Sequence, residues 1–407
     1  LPKNKPVSLL CFCLVLTLSG CPEVEKPALK DGPLPKGLLL SLALLDEDAQ
    51  GNPLPLPARV GILTRGEKGW SYRSLEDPDS RMFQKSMVYR GGPGRTGILT
   101  LGGTRAMIKL WRKGASPEIL WEEDFGGKFS FMRDGEVADI YGDGTAVIAV
   151  ATHDQGVVAL VRPDGDSGFR VEEIDRQEGT IVHEIEIGDL DDDGVLEIYA
   201  TPSEPNRFDG TPQPGKVVRY IPARGKGRAV AADLGNRHAK EILVEDVDGD
   251  GTDELYVSVE AVNKGRVKIL RLDDGTPPAG GVPIAELPDR LCRFLTAGDV
   301  DGDGKKEMVA ATHKGGLWLL KPGADSKAKW KLESVDRDSS GFEHASILTD
   351  LDGDGRDELY TASDKHREVR RYVWEEGRPV REVIYARTDD LSVFTWNIMP
   401  IPVELIP

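Results

Sequence analysis

Four short segments of this chain repeat one pattern of acids and glycine, and that repeat restricts the fold more than any other feature. They are Asp189-Leu190-Asp191-Asp192-Asp193-Gly194-Val195-Leu196-Glu197, Asp246-Val247-Asp248-Gly249-Asp250-Gly251-Thr252-Asp253-Glu254, Asp299-Val300-Asp301-Gly302-Asp303-Gly304-Lys305-Lys306-Glu307 and Asp350-Leu351-Asp352-Gly353-Asp354-Gly355-Arg356-Asp357-Glu358. Acids stand at positions one, three, five and nine, glycine stands at position six, and successive copies start 57, 53 and 51 residues apart. A fifth copy starts 50 residues before the first, at Asp139, with Tyr141 at the third position and Val147 at the ninth, so its metal site is expected to be absent or weak. A period of this length marks an array of small structural units that bury their apolar faces on one another.

Each loop is framed alike. A short alternating segment precedes it (Ile185-Glu186-Ile187), and a β-rich segment follows (Met308-Val309-Ala310). A glycine turn then leads to a third strand (Gly316-Leu317-Trp318-Leu319-Leu320), and a fourth closes the unit (Trp330-Lys331-Leu332-Glu333-Ser334-Val335). Four short strands per repeat with no long helical pattern between them predict an all-β chain, a β-propeller of four-stranded blades with metal loops in the later blades. Loop-free copies run back through Thr96–Thr100 and Val60–Thr64, with preceding strands near 85–90 and 37–45, which brings the count to seven. Six or eight blades also fit the spacing. The tail Leu391–Ile398 reads as one more strand that completes the first blade's sheet and leaves no open edge.

Three short carboxylates at alternating positions, with glycine next, curl around a hard cation that takes six to eight oxygens, and the acid at position nine finishes the shell. The all-oxygen donor set points to Ca²⁺, because no His or Cys is present to favour zinc or copper. An EF-hand is excluded, since its glutamate would fall where these copies have Ala200, Val257, Ala310 and Thr361. The motif resembles the FG-GAP or VCBS repeats of integrin α-subunit propellers and of many bacterial surface and secreted proteins. That resemblance implies four calcium ions. Their ligands would be Asp189, Asp191, Asp193 and Glu197; Asp246, Asp248, Asp250 and Glu254; Asp299, Asp301, Asp303 and Glu307; and Asp350, Asp352, Asp354 and Glu358. It also implies a protein or glycan ligand, with some relatives serving polysaccharide lyases or dehydratases.

The first residues carry an address. A basic start, an apolar run from Val7 to Leu18 too short to span a bilayer, and Leu18-Ser19-Gly20-Cys21 are the parts of an export signal over 1–20. The last four resemble a bacterial lipobox, which implies an acylated Cys21 as the first mature residue, then a proline-rich tether to residue 36 and the propeller over 37–407. Pro22 stands where an inner-membrane retention signal would have Asp, so an outer-membrane address is expected. With Cys11 and Cys13 removed and Cys21 acylated, Cys292 is left alone and no internal disulfide forms. A formal charge of −17 disfavours nucleic acid, since no basic field is present to replace phosphate counterions.

Six residues before each loop stand Arg133, His183, Lys240, Arg293 and His344, every one a base in an acidic chain. If the strand before the loop is innermost, they converge on the propeller axis and form a ring suited to an anion such as a uronic acid. Their structural reading is pairing with the adjacent Asp134, Glu184, Glu241 and Glu343. His183 and His344 are also the candidates for a general base. His153 and His313 share a turn position, and Cys292 reads as a small packed residue. The leading functional expectation is a calcium-stabilised binding module for a glycan or protein. A lyase acting on anionic polysaccharide and a scaffold subunit of an outer-membrane assembly are the alternatives.

Overall fold

A computed structural model of the chain describes residues 36–407, apart from 127–128, 166–167 and 208. The export signal, Cys21 and the tether as far as residue 35 lie outside the described residues. Among those described, no helix is long and apolar enough to cross a membrane.

The chain is built from short antiparallel strands. Five four-stranded sheets follow one another along the sequence, over 132–175, 181–233, 239–287, 292–336 and 346–386. Second strands such as Val147–Thr152 and Glu307–Thr312 are buried along their whole length because both faces pack on neighbouring sheets, and their middles, Val147–Ala151 and Met308–Ala311, accordingly read as apolar runs. Outer strands such as Lys331–Asp336 carry charge towards water, which protects a free edge from pairing with another chain.

The first part of the chain is joined differently. Met82–Arg90, Thr96–Gly103, Ala106–Trp111 and Glu118–Glu123 form one meander, and Gly37–Glu47, Ala58–Gly66 and Gly69–Asp77 form another. A single residue pair, Ala43 with Met82, links the two into one sheet. The C-terminal strand Ser392–Ile401 pairs with Gly37–Glu47 over nearly its whole length, so the tail supplies the innermost strand of the sheet that the N-terminal part begins. Inner strands then touch in a closed circuit: Met82–Arg90, Met132–Ala138, Ile181–Gly188, Ala239–Glu245, Cys292–Gly298, Ser346–Thr349 and Ser392–Ile401, which returns to Met82–Arg90. Stacking of Tyr72 on Tyr385, 4.4 Å between ring centres, ties the first and last sheets further out.

The core lies between sheets. Leu99, Leu101 and Ile108 of one pack with Ile148, Val150 and Val161 of the next, and Ile269 and Ile284 pack with Met308 and Leu320. Because strands alternate in direction, connections from first to second strand emerge on one face of the ring. Connections from second to third, and from each sheet to the next, emerge on the other. All the acidic loops therefore share one face.

Candidate functional site

In each loop the first aspartate is fixed by the backbone of its own turn. Asp246 accepts from the N–H groups of Gly249 and Gly251 at 2.8 and 3.0 Å, and Asp350 from those of Gly353 and Gly355 at 2.6 and 2.9 Å. Gly251 and Gly355 lie at φ +96° and +84°, which a side chain would strain. The turn brings carboxylates together: one oxygen each from Asp246, Asp248, Asp250 and Glu254 lies within 4.8 Å of the others. The same holds for Asp189, Asp191 and Asp193, for Asp299, Asp301 and Asp303, and for Asp350, Asp352 and Glu358. Donors on opposite sides of one Ca²⁺ stand about 4.6–5.2 Å apart, so these groups have the spacing of a shared ion.

Glu197, Glu307 and Asp354 lie outside the tight groups. Glu197 is taken by the Tyr199 hydroxyl and by Arg219 at 2.9 Å, and Glu307 by the Val300 N–H and by Lys321 at 3.5 Å. Asp354 turns to Arg356 at 2.9 Å. All four ninth-position glutamates are buried, and burial raises each of their pKa values, that of Glu254 to about 7.

Two sets of residues here were missed from the sequence. One is a base in each third strand: Arg219, Arg271, Lys321 and Arg371 reach back into the acid groups, and Arg271 bridges Asp248 at 2.6 Å and Glu254 at 2.9 Å. Their signal is a base among the apolar residues near the end or middle of each third strand, alone in Leu317–Lys321 and accompanied by a second base in the other three. The other is position eight. Asp253 accepts the backbone N–H of Asp189 at 3.0 Å, and Asp357 accepts that of Asp299 at 2.8 Å, each tying one loop to the loop of the preceding sheet. Lys306, at the same position in the third loop, pairs with Glu245. In the Tyr141 copy, Arg162 covers the Tyr141 ring at 4.9 Å and meets Asp143 at 3.2 Å, and the described residues there form no group with metal spacing.

At the centre of the ring the pairing register breaks beside Arg133, His183, Lys240 and Arg293. A bulge of this kind re-aims side chains, and here it directs these residues inward. Arg133 reaches Gln84 and covers the Trp396 ring at 5.4 Å, while His183 stands edge-on to His238 at 4.9 Å. Lys240 and Arg293 both meet Glu343, at 2.6 and 2.8 Å. Burial opposes the charge on Glu343, but Arg293, Lys240 and Arg133 outweigh it and hold the carboxyl down to about 2.

His344 departs from the expected ring. Its backbone sits at φ +59°, ahead of the strand that begins at Ser346, so its side chain leaves the axis and Glu343 enters instead. The His344 Nδ1–H donates to the Thr312 carbonyl at 2.7 Å, and its Nε2 accepts from the Ser339 hydroxyl at 2.7 Å. Burial lowers its pKa to about 4. His183 is pushed well below the usual range by burial, then by His238 and the surrounding cations. Neither histidine is placed as an accessible base. A second tier holds Lys85 against Asp134 at 3.2 Å, with Glu184, Glu186 and Glu241 pushed up chiefly by burial. Cys292 is fully buried, its thiol pushed up to about 12 by the same cause.

The face opposite the acidic loops carries a groove. A cavity of about 540 Å³ lies between the last sheet and the closing strand, walled by Phe342, Phe394, Lys314, Lys365, Arg367 and Arg387. A second, of about 320 Å³, shares His313, Lys314 and Phe342 with it and reaches Arg293 at the axis. His153 and His313, whose shared repeat position read as the end of a turn, instead open turns on this face; their N–H groups donate to the Phe131 and Leu291 carbonyls at 3.0 Å.

Residues 246–310 match the FG-GAP-like repeat family. No curated protein matches the chain by sequence. Among solved structures it is similar to the Dos1 propeller (TM-score 0.55, 10% identity, covering 87% of this chain and 86% of that one). It is also similar to a putative 6-phosphogluconolactonase from Bacteroides fragilis (0.53, 12%, 89% and 98%). A third is the periplasmic gluconolactonase of Pseudomonas aeruginosa (0.51, 13%, 88% and 99%). At these identities the likeness establishes the fold: the protein is a β-propeller that contains an FG-GAP-like repeat.

Proposed function

We propose that this chain is a seven-bladed, calcium-stabilised binding module of the cell envelope, held at the outer membrane by an acylated Cys21, which takes a glycan or protein ligand on the face opposite its calcium loops. The observation that carries the reading is the division of labour between faces. Acids with metal spacing are confined to one rim, and the two joined cavities open on the other. Calcium bound by the acids at positions one, three, five and nine would neutralise the loops and lock the turn of each blade. The blades would then hold the opposite face rigid for a ligand, and the bases at the axis serve chiefly to bind blades together through Glu343.

The test offers the calcium-loaded full chain, in detergent, to acidic and neutral polysaccharides and to envelope protein extracts, following both retention and newly formed unsaturated or reducing ends. Retention without new ends is the expected result. New ends would replace the module with an enzyme. Cys21→Ser is expected to release the protein from the membrane fraction; a variant that stays bound would remove the lipid anchor from the reading.

A further inference from the structure

We propose that the two joined cavities bind a strand of acidic sugar residues, with Phe342 as the platform for one sugar ring and Lys314 and Lys365 as the charges that meet its carboxylates. The inference rests on the binding-module reading and gives its ligand a chemical class.

Shape is the first argument. Adjoining cavities of about 540 and 320 Å³ share His313, Lys314 and Phe342 in their walls, so a ligand that occupies both must be elongated and must pass the aromatic ring. Charge is the second. Lys314, Lys365, Arg367 and Arg387 line the larger lobe against only Asp364 and Asp390, in a chain of net charge −17. Both acids are occupied: Asp364 accepts the N–H and O–H of Thr395 at 2.7 and 2.8 Å, and Asp390 meets Arg367 at 3.1 Å. The two arginines brace the segment around Asp389. Lys314 and Lys365 are exposed, and neither ammonium has an ion-pair partner among the described residues.

The third argument is the aromatic waist. Phe342 is 37% exposed yet held from several sides, edge-on to Phe394 at 5.7 Å and to Trp396 at 6.1 Å, with the Arg293 guanidinium over its ring at 5.3 Å. A fixed, exposed ring presents apolar area at little entropic cost, which suits the C–H face of a pyranose. Ser340, Gly341 and Ser392 add small groups to a wall that also has Leu391 and Val393, and leave room for sugar hydroxyls.

The experiment is calorimetric titration of the full chain in detergent at fixed free calcium. The probes are galacturonate and mannuronate hexamers, a carboxyl-reduced neutral hexamer and a glutamate hexamer. At least one uronate hexamer is expected to bind and the neutral one not. Phe342→Ala and the pair Lys314→Glu with Lys365→Glu are each expected to weaken that binding by about tenfold or more. Lys331→Glu, on an outer strand, is expected to change it by less than about twofold. Equal melting temperatures check that the variants fold, and the lysine pair keeps the test intact should Phe342→Ala not fold. Uronate binding that both groove variants leave unchanged overturns the site, and binding of the glutamate hexamer alone overturns the glycan. Failure of every hexamer overturns this inference, whereas the binding-module reading falls only if the wider panel of polysaccharides and envelope proteins also yields no retention.

Discussion

The early sheets and the later ones hold their neighbours by different means. At the start of the chain the link is strand pairing: Ala43 with Met82, and the long ladder between Gly37–Glu47 and Ser392–Ile401. The connection after Met82–Arg90, where later sheets carry an acidic loop, is the turn Gly91-Gly92-Pro93-Gly94. That turn carries no acid, and the acids nearby in sequence, Asp77 and Asp79 at the connection between the first two sheets, meet Lys109 at 2.7 Å each on the opposite face. From 181 onward no strand pairs across a sheet boundary among the described residues. Carboxylates bridge there, beside single backbone bonds such as Asp357 N–H to the Asp299 carbonyl at 2.7 Å, both on the loop face (Asp253 to Asp189, Asp357 to Asp299) and near the axis, where Glu241 accepts the Leu295 N–H at 2.9 Å. A propeller can thus be tied by hydrogen-bond ladders where its ends meet and by charge where its repeats stack. The charged ties gather enough acid to call for a cation.

The largest effect that would separate the two halves is calcium removal. An ion present at a hundredfold over its Kd stabilises by about 2.7 kcal/mol, so chelation at four loops is expected to lower the melting temperature by about 10–15 °C. Asp248→Asn should remove one ion from the measured stoichiometry and Asp143→Asn none. A melt unchanged after verified metal removal would erase the distinction, leaving the third-strand bases as the only neutralising charges.

The strand-closed half is probed by Ile398→Asp. Ile398 is buried in the cluster that joins the first and last sheets, and an unpaired charge there is expected to cost about 4 kcal/mol, read from denaturant melts, with the calcium stoichiometry unaltered. Loss of calcium along with stability would mean that closure and loops are not separate ties.

Acid should loosen the axis. Burial, then Arg293 and Lys240, lowers His238 to about 3, and neither ring nitrogen has a hydrogen-bond partner among the described residues. Such a group stays neutral in the fold but takes a proton near pH 6.5 once unfolded, so its contribution is intact above pH 6.5 and is lost as pH falls towards 3. At pH 5 the loss is about 2 kcal/mol from this side chain. His238→Phe is expected to flatten the pH dependence of stability by that amount, and a profile identical to that of the parent would show that the imidazole finds a partner when charged.

The smallest expected effect tests coupling between loops. Asp357→Ala removes the acceptor for the Asp299 N–H, at about 1–2 kcal/mol. Calcium affinity should fall in the loops of both Asp299 and Asp350; a change confined to the latter would make the loops independent.

The repeat, the strand order within each unit and the closing role of Ser392–Ile401 were legible in the residues, because strand alternation and loop spacing are local. The convergence of Arg133, His183, Lys240 and Arg293 was legible from register alone. Pairing with Glu343 was among the readings the residues offered, but its standing at the axis in place of His344 was not, since that depends on the positive φ at His344. The bases of the third strands escaped notice because each lies 13 to 23 residues from the acids it meets and joins them only through sheet pairing. The groove left no sequence signal at all: its wall comes from turns of two sheets and the closing strand.

By itself, then, the sequence determined the all-β repeat, the acidic loops and their spacing, since turn chemistry and hydrophobic alternation act over a few residues. The tertiary structure decided which charges neutralise one another and where a ligand can enter. Those follow from sheets and termini far apart in the chain being packed into one ring, where burial forces each charge to find whichever partner lies across the interface.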